Sequence, residues 1–510
     1  MGNKFNGRRR TTIYGMGEKF FLENWEVFEK TNLDKKDSLQ YDQNLLVSQL
    51  KKDPFEDYTP IRLLGTGSFG KVLLVEHNIT GMKRAMKQIK KSLIFQKSNE
   101  STVLNELNIL RKIDHQNVVK VYEYYIGNVN YYIITEYCPG GDLLTAVNNN
   151  KELSEYQVSC IMYQILSAVN HLHKMNIMHR DLKLENILIT KIEEDGLYRI
   201  KLCDFGTSHL FQEGRKEKKV IGSGYYMAPE VINKKYDFKC DLWSCGIIMY
   251  ILLTKEIPFL GDNKTELKNN IKNKKYISEP LKKCSDFVKG LVDDLLEKNY
   301  NKRINAETAL TYKIFSYYKC KKRINQMNFR IINNYIENIK KYKKSNIFQE
   351  IAIAYLIHNA DLDEVSEAYK LFNKFDADGN GKIDIDELYN GLNEITEKKW
   401  DKKNVKEIFF NLDTNNNNYI EQEEFVKAAI DKKIFLSEKM LKFAFNFFDS
   451  DKKGLITINE ISLIFKSNKD NNKNFSEEIK NIIKIVDKDG AGKISFKEFS
   501  QFMTSLLEQL

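Results

Sequence analysis

The sequence has few prolines, no long apolar run and no paired cysteine motif. Its six prolines all lie at or before Pro280. Because proline interrupts helices, the proline-free C-terminal region is predicted to be nearly all-helical. No apolar run reaches the length of about 18 residues that a membrane-spanning helix needs. The seven cysteines form no CxxC pair, which favours a reduced, cytoplasmic protein over a disulfide-linked one.

The overall composition is that of a folded protein with several domains. The chain has 510 residues, of which 42% are hydrophobic and 29% charged, and this balance excludes wholesale disorder. Its 80 basic and 70 acidic residues give a net charge of +10, which alone would suggest nucleic acid or an anionic membrane as a partner. However, nine basic residues and one Glu lie between Lys319 and Lys344. This single segment accounts for most of the positive net charge, so the charge does not require a nucleic-acid partner and we expect none.

A glycine-rich segment follows a strand-like run that begins at Tyr58. Residues 1–57 are polar and mixed, and we interpret them as a variable extension. Glycines in a loop allow backbone N–H groups to approach phosphate oxygens, although a tight turn between strands would look similar. The candidate nucleotide-binding residues of this segment are Leu64, Gly65, Thr66, Gly67, Ser68, Phe69, Gly70, Lys71 and Val72.

Further charged residues follow in the order that phosphoryl transfer requires. Lys87 is suited to hold nucleotide phosphates, and Glu106 to pair with that lysine. In the segment that begins His179-Arg180-Asp181, Asp181 is suited to accept a hydroxyl proton and Lys183 to balance the transferring charge. Asn186 and, in Asp204-Phe205-Gly206, Asp204 are the candidate magnesium ligands.

These ordered motifs, together with Met227-Ala228-Pro229-Glu230, resemble the eukaryotic protein kinase family. The resemblance implies a two-lobed α+β domain over residues 58–317 that binds ATP and magnesium. It also implies that Ala85, Thr135, Glu136 and Cys138 line the adenine site. The segment around Lys183 resembles Ser/Thr kinases, and Asp142 and Glu185 would then bind a basic residue upstream of the target hydroxyl. Asp142 and Glu185 could also be ordinary solvated acids.

Four Asp-rich loops recur in the C-terminal region, at residues 376–387, 413–424, 449–460 and 487–498. A 12-residue loop with oxygen ligands at positions 1, 3, 5, 7, 9 and 12 is typical of a calcium-binding EF-hand. The candidate ligands of the first two loops are Asp376, Asp378, Asn380, Lys382, Asp384 and Glu387, then Asp413, Asn415, Asn417, Tyr419, Glu421 and Glu424. Those of the last two are Asp449, Asp451, Leu455, Thr457 and Glu460, then Asp487, Asp489, Lys493, Ser495 and Glu498.

The later loops depart from the full ligand pattern. The second has Asn418 where glycine is usual, although asparagine tolerates the left-handed backbone needed there. The third has Lys453 in place of an oxygen ligand, and the fourth has Ala491 at the same position. Weak binding, or pairing without a metal ion, therefore stays an alternative for both.

A kinase domain followed by a basic segment and four hands resembles the calcium-dependent protein kinases. The resemblance implies an all-α calmodulin-like domain over residues 366–510 and an autoinhibitory junction over 318–365 that this domain captures when it binds calcium. Two alternatives are a calcium-regulated scaffold with an inactive kinase fold and a kinase controlled by separate calmodulin. We expect protein substrates if the chain is an active kinase under either form of control, but not if it is a scaffold. Gly2 is a candidate myristoylation site, and Arg8–Arg10 could add membrane affinity.

Overall fold

A computed structural model gives the fold of most of the chain after residue 46. It describes residues 47–67, 70–92, 109, 111, 113–149, 152–193, 196–212, 214–315, 329–343, 346–360, 363–377, 381–396, 399–464 and 473–507.

The first part of the described chain is a six-stranded sheet with the order β1-β5-β6-β4-β3-β2. Its strands are β1 (Ser48–Leu50), β2 (Tyr58–Gly67), β3 (Gly70–His77), β4 (Lys83–Lys90), β5 (Val121–Ile126) and β6 (Asn130–Glu136). Neighbouring strands are antiparallel except β1, which is parallel to β5. One face of the sheet buries a compact apolar cluster that includes Val75, Met86 and Ile134.

Strand β1 lies before the predicted domain boundary at Tyr58 and extends the sheet. Val47, only 4% exposed, joins the same core as Ile109 and Val121. After β1, a 3-10 turn at Pro54–Glu56 leads to Asp57, which accepts a hydrogen bond of 2.8 Å from the hydroxyl of Tyr125 in β5. Residues 47–57 are therefore packed as part of the β-rich region.

The second part is mainly helical and surrounds a large apolar core. Its helices are α1 (Leu143–Asn149), α2 (Glu155–Lys174), α3 (Pro229–Ile232), α4 (Lys239–Thr254), α5 (Lys264–Asn273), α6 (Asp286–Leu295) and α7 (Ala306–Leu310). Short strands β7 (Ile177–Met178), β8 (Ile187–Ile192), β9 (Tyr198–Leu202) and β10 (His209–Leu210) carry the loops between α2 and α3. Helix α4 is apolar around its whole circumference because it passes through the core, where Trp243 is fully buried.

The remaining chain is almost entirely helical, as the absence of proline predicts. Its helices are α8 (Phe329–Lys341), α9 (Ile347–Asn359), α10 (Asp363–Phe375), α11 (Ile385–Thr396), α12 (Lys402–Leu412), α13 (Gln422–Ala429), α14 (Glu438–Phe448), α15 (Ile458–Ile464), α16 (Lys473–Val486) and α17 (Phe496–Thr504). Short strands pair the calcium loops: β11 (Lys382–Ile383) with β12 (Ile420–Glu421), and β13 (Leu455–Thr457) with β14 (Lys493–Ser495). The predicted class, α+β followed by all-α, is confirmed.

The described residues form two compact units. The larger comprises residues 47–343 and 353–443, and the smaller comprises 346–352 and 444–507. Helix α9 thus contributes its first half to the smaller unit and its second half to the larger. Of the helices in the described ranges, none has both the length and the hydropathy needed to cross a bilayer.

The packing of Val47 predicts that residues before Tyr58 stabilise the sheet. We expect Val47→Asp to lower the free energy of unfolding by roughly 3 kcal/mol, because it buries an unpaired carboxylate. Val129→Asp is the matched control, since Val129 lies in the same sheet region but is 67% exposed. Thermal unfolding of both variants measures the difference, and equal stabilities would contradict a packed role for β1.

Candidate active site and calcium-binding loops

The glycine-rich segment is a β-hairpin formed by β2 and β3, with Gly65 opposite Val72 and Gly67 opposite Gly70. Its tip residues, Ser68 and Phe69, lie outside the described residues. A Cβ atom on Gly70 would come within 1.8 Å of the Gln88 backbone oxygen, so packing alone requires glycine there. By contrast, no described atom lies within 4 Å of a Cβ placed on Gly65. The space beside Gly65 is therefore open to a ligand, unlike the space beside Gly70.

The strand that follows brings Lys87 to Asp204. The Lys87 Nζ atom lies 3.3 Å from the Asp204 Oδ1 atom. Partial burial raises the pKa of Asp204, but the charge and hydrogen bond of Lys87 outweigh it and hold that pKa below its ordinary value. The predicted partner of Lys87, Glu106, lies outside the described residues.

In the catalytic loop, which begins at His179, Asp181 contacts Lys183 and Asn186 and also Ser223 from a later segment. The Lys183 Nζ atom donates to the Asp181 Oδ2 atom at 2.8 Å and to the Ser223 hydroxyl at 3.1 Å, and Ser223 donates to the Asp181 Oδ1 atom at 2.9 Å. The Asn186 Nδ2 atom donates to the Asp181 backbone oxygen at 2.8 Å. Burial lowers the pKa of Lys183, but the hydrogen bond and charge of Asp181 outweigh burial and raise this pKa above its ordinary value.

Two buried carboxylates are held by hydrogen bonds, and the first of them binds the backbone of this loop. Asp241, 1% exposed, accepts hydrogen bonds of 2.9 Å from the backbone N–H groups of both His179 and Arg180. Glu230 forms a buried bidentate pair with Arg303 at 2.5 and 3.0 Å.

The predicted adenine-site residues lie on adjacent strands. Ala85 in β4 is directly opposite Thr135 in β6, and Cys138 is buried two residues beyond the end of β6. The Glu136 carboxylate pairs with Lys201 at 2.8 Å, and the Glu136 backbone N–H donates to the Lys120 backbone oxygen at 2.9 Å. Burial lowers the pKa of Lys201, but Glu136 raises it above its ordinary value. The sequence interpretation missed Lys201, which occupies a half-buried position of strand β9, where buried and half-buried residues alternate.

Asp142 and Glu185 occupy neighbouring elements, since helix α1 contacts the 3-10 turn Leu184–Asn186. Glu185 is exposed. Asp142 also has a structural role, because its carboxylate accepts hydrogen bonds from the Thr145 backbone N–H at 2.8 Å and hydroxyl at 2.9 Å. Of the two, Glu185 is thus the carboxylate more available to a basic ligand.

The described parts of the first two candidate calcium loops have hydrogen bonds and backbone angles typical of EF-hands. In the first, the Gly381 N–H donates to Asp376 at 2.9 Å and the Ala377 N–H donates to Glu387 at 2.9 Å. Asp378 and Asn380 lie outside the described residues. In the second, Asn418 has a φ of 64° and its N–H donates to Asp413 at 2.9 Å. Asn418 therefore adopts the left-handed turn for which glycine is usual.

The last two loops each gather three carboxylates whose oxygens lie within 4.8 Å of one another. These are Asp449, Asp451 and Glu460 in the third loop, and Asp487, Asp489 and Glu498 in the fourth. In the third, the Lys453 Nζ atom lies 2.8 Å from the Asp451 Oδ2 atom, and their hydrogen bond lowers the pKa of Asp451. In the fourth, the hydrogen bond from Ser495 and nearby backbone N–H groups lower the pKa of Glu498 to about 2. An all-oxygen donor set of this kind fits calcium.

Within each unit, a hand pair contacts part of the predicted junction. In the larger unit, α8 packs on α13, and the Asn338 Nδ2 atom donates to the Ala429 backbone oxygen at 2.8 Å. In the smaller unit, the Phe348 ring lies 4.5 Å from that of Phe448 and 5.8 Å from that of Phe499. The contact of α9 was not predicted in detail, although the apolar run from Ile351 to Ile357 within this helix marks it as buried.

The sequences of known proteins agree with the two kinds of site described above. A protein kinase domain family matches residues 58–315, and an EF-hand domain pair family matches residues 365–430 and 438–504. Calcium-dependent protein kinase 4 of Plasmodium berghei (strain Anka) is 36% identical over 465 residues, which cover 88% of this chain and 87% of the relative. The protein of the same name from Plasmodium falciparum (isolate 3D7) is 35% identical over the same shares. Calcium-dependent protein kinase 5 of Plasmodium falciparum is 34% identical over 87% of this chain and 77% of the relative.

The two glycines of the hairpin should respond differently to the same substitution. We expect Gly70→Ala to cost roughly 2 kcal/mol of stability, since its Cβ would collide with strand β4. Gly65→Ala should leave stability within about 0.5 kcal/mol but raise the KM for ATP several-fold, because a methyl group would fill space needed by phosphate. Thermal unfolding and ATP titration distinguish the two, and a stable Gly70→Ala variant would contradict the packing argument.

Proposed function

The chain belongs to the protein kinase family and, within it, to the calcium-dependent protein kinases, and from this we propose a mechanism of catalysis and control. In this mechanism the enzyme transfers the ATP γ-phosphate to Ser or Thr of protein substrates. The junction over residues 318–365 inhibits it at rest, and calcium binding to the hands relieves the inhibition in intracellular calcium signalling.

The contacts around Asp181 carry the catalytic part of the proposal. Ser223 and Lys183 fix the Asp181 carboxylate, so that it accepts the proton of the substrate hydroxyl as phosphoryl transfer proceeds. Lys183, whose raised pKa keeps it protonated, offsets charge on the transferring group. These contacts also disfavour the alternative of a scaffold with an inactive kinase fold.

Lys87, Asn186 and Asp204 provide the nucleotide and magnesium contacts. The carboxylate of Asp204 and the amide oxygen of Asn186 are oxygen donors of the kind that magnesium prefers. They would hold magnesium, which neutralises phosphate charge, while Lys87 would bind the α and β phosphates. The Asn186 amide nitrogen is used by the Asp181 backbone oxygen, which leaves the amide oxygen for the metal ion.

The junction contacts support control by the chain's own hands rather than by separate calmodulin. The buried face of α8 is apolar, formed by Ile332, Tyr335, Ile336 and Ile339. The first hand pair holds this face, and the second holds Phe348 of α9. A 1:99 equilibrium needs about 5.5 kcal/mol of differential binding to invert. Two capture sites and several calcium ions can share that free energy.

Substrate preference and membrane contact follow as narrower proposals. Glu185, with support from Asp142, binds a basic residue upstream of the target hydroxyl by charge-assisted hydrogen bonds. Gly2 lies outside the described residues, and its myristoylation together with Arg8–Arg10 would give membrane affinity through two signals.

Phosphorylation of a peptide with upstream arginine, measured against calcium concentration, tests catalysis and control together. We expect calcium to activate the intact chain. We expect Ile336→Glu to lose about tenfold or more of this stimulation, because it buries a charge where α8 meets the hand pair. Asn333→Glu is the control on the exposed face of the same helix. Full stimulation of Ile336→Glu would exclude capture of α8, and activity independent of calcium would exclude the proposed control.

The third hand allows a second test, because Lys453 occupies a ligand position as a cation. Lys453→Asn removes this competing charge and supplies an oxygen, so we expect calcium affinity of that hand to rise about tenfold. Lys452→Asn is the matched control, since it removes the same charge from a loop position that supplies no side-chain ligand. Calorimetric calcium titration of the full chain compares them. Equal effects of the two substitutions would show that only net charge matters.

A further inference from the structure

Two lysine pairs that are distant in sequence lie side by side next to the catalytic loop. The N–H of Glu217 donates to the Tyr236 backbone oxygen at 2.8 Å, and the N–H of Tyr236 donates to the Glu217 backbone oxygen at 3.2 Å. The Tyr236 hydroxyl donates to the Lys219 backbone oxygen at 2.7 Å. Because Glu217 precedes one lysine pair and Tyr236 follows the other, these bonds bring the pairs together. We call the resulting surface the basic ridge, formed by Lys218, Lys219, Lys234 and Lys235.

The charge of the basic ridge is not neutralised by its neighbours. All four lysines are exposed, and within the described ranges none of them forms a salt bridge. The acids near the lysine pairs in sequence have other partners, since Glu217 lies 3.4 Å from the His209 ring and Asp237 pairs with Lys216. Four adjacent cations thus face solvent, and they repel one another unless an anion binds.

The basic ridge leads directly into the catalytic site. A Cβ atom on Gly222 would lie 2.9 Å from the Arg180 backbone oxygen, so the segment passes against the catalytic loop. Ser223 follows and contacts Asp181. Lys219 is four residues before Ser223, a distance of at most about 14 Å even for an extended chain. The basic ridge is therefore within reach of a few residues of a substrate bound at Asp181.

The direction of the substrate follows from Glu185. This carboxylate lies on the 3-10 turn Leu184–Asn186 after Asp181, and it attracts cations, whereas the basic ridge repels them. If the upstream basic residue of a peptide binds Glu185 and its hydroxyl lies at Asp181, like charge keeps the upstream part off the basic ridge, so the part that reaches the ridge follows the hydroxyl. The upstream and downstream parts of the substrate thus meet surfaces of opposite charge.

We propose that the basic ridge binds acidic side chains that follow the phosphorylated residue, so that the enzyme prefers substrates with Asp or Glu two to four positions downstream. This inference rests on the proposed function, because the direction of the peptide depends on the upstream contact with Glu185. Exposed ion pairs are individually weak, and several of them act together as a selectivity filter rather than as a source of tight binding.

A set of four peptides tests the upstream and downstream preferences separately. The peptides combine Arg or Ala upstream with three Glu or three Ala downstream, and kcat/KM is measured for each in saturating calcium. We expect downstream Glu to raise kcat/KM about three- to tenfold, from two or three exposed ion pairs. This gain should shrink at 0.5 M salt, where charges are more strongly screened.

Charge-reversal variants assign the effect to the basic ridge. In the double variant Lys218→Glu with Lys219→Glu, the Glu peptide should become the poorer substrate, and in Lys218→Gln with Lys219→Gln the ratio should approach one. Lys282→Glu with Lys283→Glu makes the same change in charge on the exposed turn Glu279–Lys283, and should keep the wild-type ratio. Melting temperatures confirm that each variant is folded.

Each failure has a different meaning. Equal kcat/KM for the Glu and Ala peptides overturns the inference, as does a Glu preference that survives both ridge variants. If upstream Arg has no effect while downstream Glu does, the proposed Glu185 contact fails and the basic ridge stands. If no peptide is phosphorylated, the proposed function fails, and equal affinities of the Glu and Ala peptides in a binding titration then overturn the inference. Ridge-dependent binding to phosphatidylserine vesicles without any peptide preference would assign this surface to a membrane instead.

Discussion

The catalytic loop depends on the buried carboxylate of Asp241. It lies in the first turn of α4, where the helix dipole favours a negative charge. Two backbone N–H groups and the His173 ring nitrogen, each at 2.9 Å, satisfy it. Burial raises the pKa of Asp241, but the His173 hydrogen bond and the other contacts outweigh it, so the group stays ionised. Its two backbone bonds hold Arg180 at a φ of 69°, a left-handed conformation that a free chain would rarely keep.

The same anchor orders the segment that a substrate must cross. The Asp241 carboxylate fixes the backbone of Arg180, and the Arg180 Nε atom donates to the Thr207 backbone oxygen at 2.6 Å. This bond joins the catalytic loop to the start of the segment from Thr207 to Ser223. Further along, the His209–Glu217 contact lies within this segment, and the Lys216–Asp237 pair holds the segment against the loop before α4. Of these contacts, the Lys216–Asp237 pair joins two full charges, whereas burial lowers the pKa of His209 and favours its neutral ring.

The sequence predicted what depends on short-range order and missed what depends on distant pairing. Kinase and EF-hand motifs are local, because a loop around Asp181 or Asp376 must carry its functional groups at fixed spacing. The fold class and family followed from them. The pairing of Glu136 with Lys201 joins the end of one strand to another 65 residues later, and nothing local marks it. Strand β1 was equally hidden, because three residues in parallel pairing leave no periodic signal.

Charge explains less of the junction than its composition suggested. The segment from Lys319 to Lys344 combines an excess of Lys and Arg with interleaved apolar residues. In the described part, α8 instead buries isoleucine and tyrosine side chains, while Lys340 lies over the Trp400 ring at 4.8 Å and Glu337 stays exposed. Apolar burial is thus the main source of this contact, and it does not weaken with salt as charge pairing does. The strong electrostatics lie in the calcium loops, whose clustered carboxylates repel one another and are stabilised together only by a cation. Where Lys453 already supplies one, that repulsion is partly relieved, so under the proposed control the third hand gains less from calcium than a loop without this lysine.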